Sequence, residues 1–385
     1  MTLFSFFATC PKGLEAPLLE ELTTHGLQNL VMGEAGVWFT GTFTEGMKAN
    51  LYSRIASRIL LLVVKGQYSH ENDLYDSAYS FPWVNWFDVN LTFMVTTNAK
   101  HCPLKSLDFV TLRVKDAICD QFREELNQRP SIDTREPDVR VYVYLTEQDF
   151  YYYIDMSGEA LFKRGARIES GETPLKKNLA AGLLALSNWR PGTPLVDMFC
   201  GSGTILSEAA EMTLQRAPGL HRHFGFEKLT PHQPQDWQTL LEQAHQAAQP
   251  QQPLPIWGYD LKGDAIQASW TNFKASDIEQ CISLKQVNAI ESTPPIETGV
   301  IVSNPPYGVR LSEQAILQEW YPQLGETLKK RYADWDSWFL TADLTFPKGL
   351  RLKPSRKIPL FNGALECRFF YIPLVSGSNR KKSHN

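Results

Sequence analysis

The chain has 385 residues, 43% hydrophobic and 21% charged, with 38 Lys and Arg against 42 Asp and Glu and a formal net charge of -4. That length suits two or three domains with real cores, and the composition excludes a disordered, collagen-like or disulfide-dense chain. No apolar run approaches the roughly 20 residues that span a bilayer, so no membrane partner is expected.

Met1–Thr9 is apolar but has no basic n-region or cleavage site, so no export signal is read there. The six cysteines are scattered, with no Cys-x-x-Cys and no His at ligand spacing, which predicts free thiols in a reducing cytoplasm and no metal site. The first 65 residues predict a small α+β unit: strand Leu3–Ala8, helix Gly13–His25, a strand pair around Leu30–Phe39, helix Phe43–Ser53 and strand Ile59–Val64. A second unit over Phe81–Ser157 predicts strand Leu91–Thr97, helix Ser106–Glu125 and a hairpin. In that hairpin Val139, Val141, Val143 and Leu145 alternate with Arg140, Tyr142 and Tyr144, and a polar turn leads into Phe150–Met156. These aromatics could stack bases, but half-buried strands favour aromatics anyway, and core packing is the expectation for most of them.

Beyond Gly158, strands alternate with helices, the signature of a mostly parallel α/β sheet. Helix Thr173–Leu186 has Pro174 in its first turn. Strand Pro194–Met198, a glycine turn and helix Ile205–Leu214 follow. Gln243–Pro255 reads as a loop insertion. Ile256–Asp260, Ile282–Val287, Val300–Ser303 and Trp338–Ala342 are strands, Gln267–Lys274 and Ile316–Arg331 helices, and Ile358–Phe361 and Cys367–Leu374 a terminal hairpin around Asn362-Gly363. Charge is uneven along the chain. Residues 1–160 carry 13 basic and 21 acidic side chains, net -8, which leaves 25 and 21, net +4, for residues 161–385. Lys348, Arg351, Lys353, Arg356 and Lys357 form a late basic stretch suited to a polyanion, whereas Arg380–Lys382 read as a solvated tail.

Three motifs carry chemistry. Leu195-Val-Asp-Met-Phe-Cys-Gly-Ser-Gly-Thr204 is an apolar strand that ends in Asp197 and turns through Gly201 and Gly203 into a helix. It lacks the third glycine of a dinucleotide fingerprint and the Lys of a P-loop, which disfavours pyrophosphate. Asp260 ends the next strand, where a carboxylate can accept both hydroxyls of a ribose, although an isolated Asp there is more often a helix cap. Together the two strand ends describe a nucleoside site without a phosphate cradle, which is what S-adenosylmethionine requires. The third motif is Val302-Ser-Asn-Pro-Pro-Tyr-Gly308. Its prolines fix the loop, so that the Asn304 side-chain carbonyl and the Pro305 backbone carbonyl can converge on the hydrogens of a planar exocyclic amine, with Tyr307 stacked on the base.

Asp197–Thr204, Asp260 and Asn304–Tyr307 resemble the motifs of class I S-adenosylmethionine-dependent amino-methyltransferases. With Ala217-Pro-Gly-Leu-His-Arg222, Phe361-Asn-Gly-Ala-Leu-Glu-Cys367 and Val114-Lys-Asp-Ala-Ile118, the combination is similar to the RlmL-type 23S ribosomal RNA guanine-N2 methyltransferases over essentially the whole chain. The resemblance implies a ferredoxin-like N-terminal unit (residues 1–65), a THUMP RNA-binding domain (43–157) and a Rossmann-like class I methyltransferase domain with a C-terminal antiparallel hairpin (160–376), before a basic tail (377–385). It also implies S-adenosyl-L-methionine held by Asp197, Phe199, Gly201, Gly203, Thr204, Asp260 and Asn288, and catalysis by Asn304, Pro305, Pro306 and Tyr307. Asn288 stands where relatives commonly carry an acid, and its amide carbonyl can still accept from an adenine amine. Lys176 or Lys177 could reach phosphate, with an exposed helix face as the expected role.

The leading expectation is methylation of a guanine N2 amine in large-subunit ribosomal RNA. Phosphate contacts are expected from Lys348, Arg351, Lys353, Arg356 and Lys357, and from a local patch of Arg113, Lys115 and Arg123 in the acidic half. The rivals are a DNA adenine-N6 methyltransferase, a tRNA guanine-N2 methyltransferase and a non-catalytic RNA-binding assembly factor.

Overall fold

The computed structural model describes residues 2–165, 175–306 and 311–375, with only the backbone described over 311–318. Period-two alternation sets the first half. Strands β1 (Phe4–Thr9), β2 (Gln28–Gly33), β3 (Gly36–Gly41), β4 (Arg58–Gln67), β5 (Phe93–Ala99), β6 (Val139–Leu145) and β7 (Asp149–Asp155) form one seven-stranded sheet in the order β2-β3-β1-β4-β7-β6-β5. All its pairs are antiparallel except β5 with β6. Helices α1 (Glu15–Thr24), α2 (Phe43–Tyr52), α3 (Glu71–Ser80) and α4 (Leu107–Leu126) connect these strands. The buried parity carries Phe6, Phe39, Val141, Val143, Tyr152 and Ile154. Thr42 and Glu45 form a capping box on α2, and the Phe109 amide donates to Ser106 Oγ at the start of α4 (3.1 Å). Helix α3 has too few apolar residues to announce itself, since only Leu74 and Ala78 of its one-turn stripe are buried.

The second half is built from β8 (Leu195–Asp197), β9 (Ile256–Asp260), β10 (Ser283–Gln286), β11 (Val300–Ser303), β12 (Trp335–Thr341), β13 (Arg356–Asn362) and β14 (Leu365–Leu374). Their order is β10-β9-β8-β11-β12-β14-β13, parallel from β10 to β12 and antiparallel in the last two pairs. Helices α5 (Lys177–Leu186), α6 (Thr204–Thr213), α7 (Pro234–Ala247), α8 (Gly263–Ala275), α9 (Leu311–Arg331) and α10 (Phe346–Gly349) complete it. The central strands β8 and β11 are buried at every residue, as expected for parallel strands covered on both faces. Trp335, Phe339, Tyr321, Leu324 and Leu328 pack against Val196 and Ile301.

Four sequence expectations shift. Helix α5 begins at Lys177, because Lys176 is its N-cap with extended geometry, and residues 173 and 174 lie outside the described residues. Lys177 is buried rather than on an exposed face. The expected loop from Gln243 is helical as far as Ala247, because Leu240 and Ala244 lie one turn apart and are both buried. The terminal hairpin turns on Gly363-Ala364, since Asn362 pairs with Leu365; Gly363 takes a φ of +67°, the conformation glycine adopts without strain.

The chain forms two compact units, and neither is contiguous. One comprises Met1–Cys10, Leu18–Lys163 and Gly219–Ala244, and the other Pro11–Pro17, Arg164–Pro218 and His245–Asn385. Within the first, the Arg222 guanidinium donates to the carbonyls of Ser157 (3.3 Å), Glu159 (2.6 Å) and Ala160 (3.1 Å), which fastens the returning segment to the end of β7. No described helix is long and apolar enough to cross a membrane.

Candidate active site

The second sheet reverses direction at β8: the chain runs from β8 outward through β9 to β10, then returns to the other side of β8 as β11. Such a switch point leaves a crevice at the carboxyl ends of the strands. The order of strands therefore lines up Asn288 after β10, Asp260 at the end of β9, Asp197 at the end of β8 and Asn304 after β11.

The glycine turn is held from several sides. The Cys200 amide donates to the Tyr259 carbonyl (2.9 Å), Ser269 Oγ donates to the Gly201 carbonyl (2.7 Å) and Asn272 Nδ2 to the Ser202 carbonyl (3.0 Å). Gly201 and Gly203 have φ of +54° and +77°. A Cβ on Gly203 would lie 2.5 Å from the Phe273 ring, whereas one on Gly201 would meet no described atom within 4 Å. Gly203 therefore seats the turn against α8, and Gly201 faces space free of described residues. Thr204 opens α6 and is buried.

Asp260 accepts from the Gly201 amide through Oδ2 (3.0 Å) and from the Lys262 amide through Oδ1 (2.9 Å), so it locks the two strand-end turns together and is not the N-cap of α8, which is Lys262. Asn288 Oδ1 accepts from the Ile290 amide (3.3 Å), which fixes the side chain in its own turn with a second lone pair still available. Phe199 meets the Trp320 ring edge-on at 5.5 Å.

Asp197 is 2% exposed and has no cationic partner among the described residues. It accepts from the Phe199 amide (3.1 Å) and from the Ser303 hydroxyl. Burial, helped by the negative charge of Asp260, pushes its carboxyl up to about 7 against the pull of those two donors. The same surroundings raise the Cys200 thiol. Sequence reasoning missed Ser303. Its Oγ also accepts from the Met198 amide (2.8 Å), so one buried hydroxyl joins the end of β8 to the residue before Asn304. The available signal was a hydroxyl closing the otherwise apolar strand Val300–Ser303.

Asn304 Oδ1 is buried and has no hydrogen-bond partner among the described residues. Buried acceptors are nearly always satisfied, so a solitary one at a crevice asks for a donor from outside the chain. Pro305 is buried and Pro306 exposed, and Tyr307 lies outside the described residues.

Residues 164–370 match the RMKL-like methyltransferase domain family, more than half of the chain. The chain belongs to that family. In this RMKL-like chain, residues 68–155 match the THUMP domain and residues 5–60 the RlmL ferredoxin-like domain. The ribosomal RNA large subunit methyltransferase K/L of Shewanella amazonensis is 36% identical over 98% of this chain and 54% of its own length, so the chain spans about half the length of the curated relatives it matches. Among solved structures, SMU.472, complexed with SAH, is 29% identical with a TM-score of 0.88 over 99% of this chain and 100% of that one. A predicted N6-adenine-specific DNA methylase from Listeria monocytogenes is 27% identical with a TM-score of 0.87 over 96% of each chain.

The predicted phosphate contacts divide into two kinds in this RMKL-like chain. On α4, the Arg113 guanidinium lies 4.3 Å over the Tyr75 ring, Lys115 pairs with Asp116 (2.5 Å) and Arg123 with Asp120 (2.5 Å). These cations are already engaged. Lys348, Arg351, Lys353, Arg356 and Lys357 are all exposed, and none forms an ion pair among the described residues. The register carries Ser303 through Phe339 and Phe370 to Lys357, which sets Lys357 level with the end of β11, three strands away.

Proposed function

We propose that the chain transfers a methyl group from S-adenosyl-L-methionine to the exocyclic N2 amine of a guanine in 23S ribosomal RNA, acting in the cytoplasm on free RNA or on an assembling ribosomal particle. The buried Asn304 Oδ1, without a partner among the described residues and at the strand end beside Asp197, carries the reading, because it is an acceptor of the kind an exocyclic amine needs. Family membership and the names of the Shewanella relatives supply the methyl transfer and the ribosomal RNA.

The donor set fits the cofactor. Asp260 offers its remaining lone pairs to a ribose, Asn288 its carbonyl to an adenine amine, and Asp197 an uncompensated carboxylate to a cationic group, with Phe199, Gly201, Gly203 and Thr204 forming the turn between them. Bound there, the cofactor supplies an electrophilic methyl on a sulfonium. Asn304 and the Pro305 carbonyl accept the amine hydrogens, which orients the nitrogen lone pair and favours the charge that develops on it. Pro306 restrains the loop and Tyr307 stacks on the base, and the proton leaves to solvent or to a backbone acceptor. In this reading residues 1–65, 43–157 and 160–376 are the ferredoxin-like, THUMP and methyltransferase domains. Lys348, Arg351, Lys353, Arg356 and Lys357 contact phosphate, with Arg113 and Lys115 secondary because they already have partners.

Methyl-labelled cofactor incubated with ribosomal RNA, tRNA and genomic DNA, followed by nucleoside analysis, is expected to give N2-methylguanosine from large-subunit ribosomal RNA. N6-methyladenosine in DNA would overturn the assignment.

A further inference from the structure

In the first unit, residues paired across neighbouring strands share a face of the sheet. The Phe6, Tyr152 and Thr97 parity is the helix-covered one: an added Cβ on Gly46 of α2 would touch the Phe6 ring (2.6 Å), Tyr152 Oη donates to the Leu74 carbonyl of α3 (2.7 Å), and Thr97 and Thr111 of α4 hydrogen bond through their hydroxyls (2.7 Å). The opposite parity follows the register Trp38–Phe7 across β3 and β1, and Lys65–Tyr151–Tyr144–Asn98 and Leu62–Tyr153–Tyr142–Thr96 across β4, β7, β6 and β5.

That second face is aromatic and half-buried. Trp38 lies 4.7 Å from Phe7, 6.1 Å from Tyr153 and 6.4 Å from Tyr151, and Tyr144 lies 6.4 Å from Tyr151. Whereas Tyr152 on the helix side ties its hydroxyl to a carbonyl, those of Tyr142, Tyr144, Tyr151 and Tyr153 donate to no described acceptor. Positive charge is interleaved. Among the described residues Lys65 is exposed without an ion pair and the buried Arg140 Nε has no partner, and Arg58 lies 5.6 Å from the Tyr142 ring centre. The acids at this face include Asp155, buried and held by Arg58, and Asp149 at the start of β7, while Glu34 pairs with Lys100, which acts on Tyr144. A local aromatic and cationic surface thus stands within a half of the chain that carries net -8.

We infer that this open sheet face is a stacking platform for an unpaired segment of RNA, with bases on Trp38, Tyr144 and Tyr151 and phosphates on Lys65 and Arg140. Only unpaired bases present their faces to such rings, and the cations answer the backbone charge. The inference rests on the reading of the substrate as RNA.

The test is binding of the full chain, with S-adenosylhomocysteine present, to a labelled single-stranded oligoribonucleotide and to a duplex of equal length. Tyr144→Ala with Tyr151→Ala is expected to weaken single-strand binding by about 30-fold or more. The pair Tyr144→Phe with Tyr151→Phe is expected to bind as wild type because it keeps the rings. Lys65→Glu, at an exposed position, is expected to weaken binding and flatten its salt dependence, and it decides the matter alone if the alanine pair fails to fold. Affinity for S-adenosylhomocysteine should stay unchanged throughout. Wild-type single-strand affinity in the alanine pair or in Lys65→Glu, or equal wild-type affinity for duplex, overturns the platform while leaving the substrate reading intact. A wild-type chain that binds S-adenosylhomocysteine and no RNA overturns both.

Discussion

Asn304 keeps a buried acceptor with no hydrogen-bond partner among the described residues, and Asp197 a buried carboxyl with hydrogen-bond donors but no cationic partner among them, and each makes a prediction. Removing the acceptor with Asn304→Ala is expected to lower kcat by about 100-fold or more while cofactor affinity, read by calorimetry, stays within about twofold. Equal loss of both would place Asn304 in the cofactor site instead. Asp197 predicts a pH dependence. Burial raises its carboxyl from 3.8 to about 7, so the folded chain keeps a proton there that the unfolded chain releases. Its contribution to the stability of the ligand-free protein is therefore full below about pH 4, falls as pH rises to about 7 and is constant above. A cationic ligand favours the ionised form, so affinity for S-adenosylmethionine should rise over the upper part of that range and level off. The negative charge of Asp260 also acts on this carboxyl, so Asp197→Asn is the clean control, and its affinity should be flat across pH 6 to 8 if Asp197 is the titrating group. Asn304 was legible because its loop chemistry is local, with two prolines after a strand. Ser303 was not, because its bonds join positions 105 residues apart.

Among the elements, those with a strong apolar period were readable and those without one were not. Strand β11 and the alternating β6 announce themselves by pattern, whereas α3 is a run of acids and tyrosines whose helicity comes from packing Leu74 and Ala78. The strand-turn-helix around Gly203 shows what a local pattern specifies and what it leaves open. Glycine at this position signals a turn from sequence alone, but the demand made on it comes from Phe273, 70 residues later. Gly203→Ala combines a positive φ with a Cβ 2.5 Å from that ring and is expected to destabilise by about 2–4 kcal/mol in urea denaturation. Gly192→Ala has a φ of +90° with nothing within 4 Å and should cost only the backbone strain, about 1 kcal/mol. Similar losses from the two would mean that contact with Phe273 adds nothing.

Over the whole molecule, net charge is a poor guide to partners and its distribution a better one. A chain of net -4 presents five exposed cations over Lys348–Lys357 with no ion pair among the described residues, while the cations of α4 are engaged with an aromatic ring or with acids. Changing Lys348, Arg351, Lys353 and Lys357 to Gln is expected to lower the slope of log affinity for RNA against log salt by about one per phosphate contact removed. The same change at Arg113 and Lys115 should leave the slope nearly unaltered. A slope indifferent to the first set would move the phosphate track elsewhere. The division into units is likewise decided at this scale. Gly219–Ala244 joins the first unit through Arg222 and the Leu51 carbonyl, contacts that no local pattern records.

By itself the sequence determined the class of fold, the three strand-end motifs and the chemistry they favour, because periodicity, glycine turns and proline-fixed loops are properties of neighbouring residues. Tertiary structure alone decided that Asn288, Asp260, Asp197 and Asn304 lie in that order along one edge, that Ser303 bridges two of those strands, and that Trp38, Tyr144 and Tyr151 share an open face. The physical reason is common to all three. Strand order and facing follow from backbone pairing between segments tens to a hundred residues apart, and a chain read one window at a time carries no record of which segments pair.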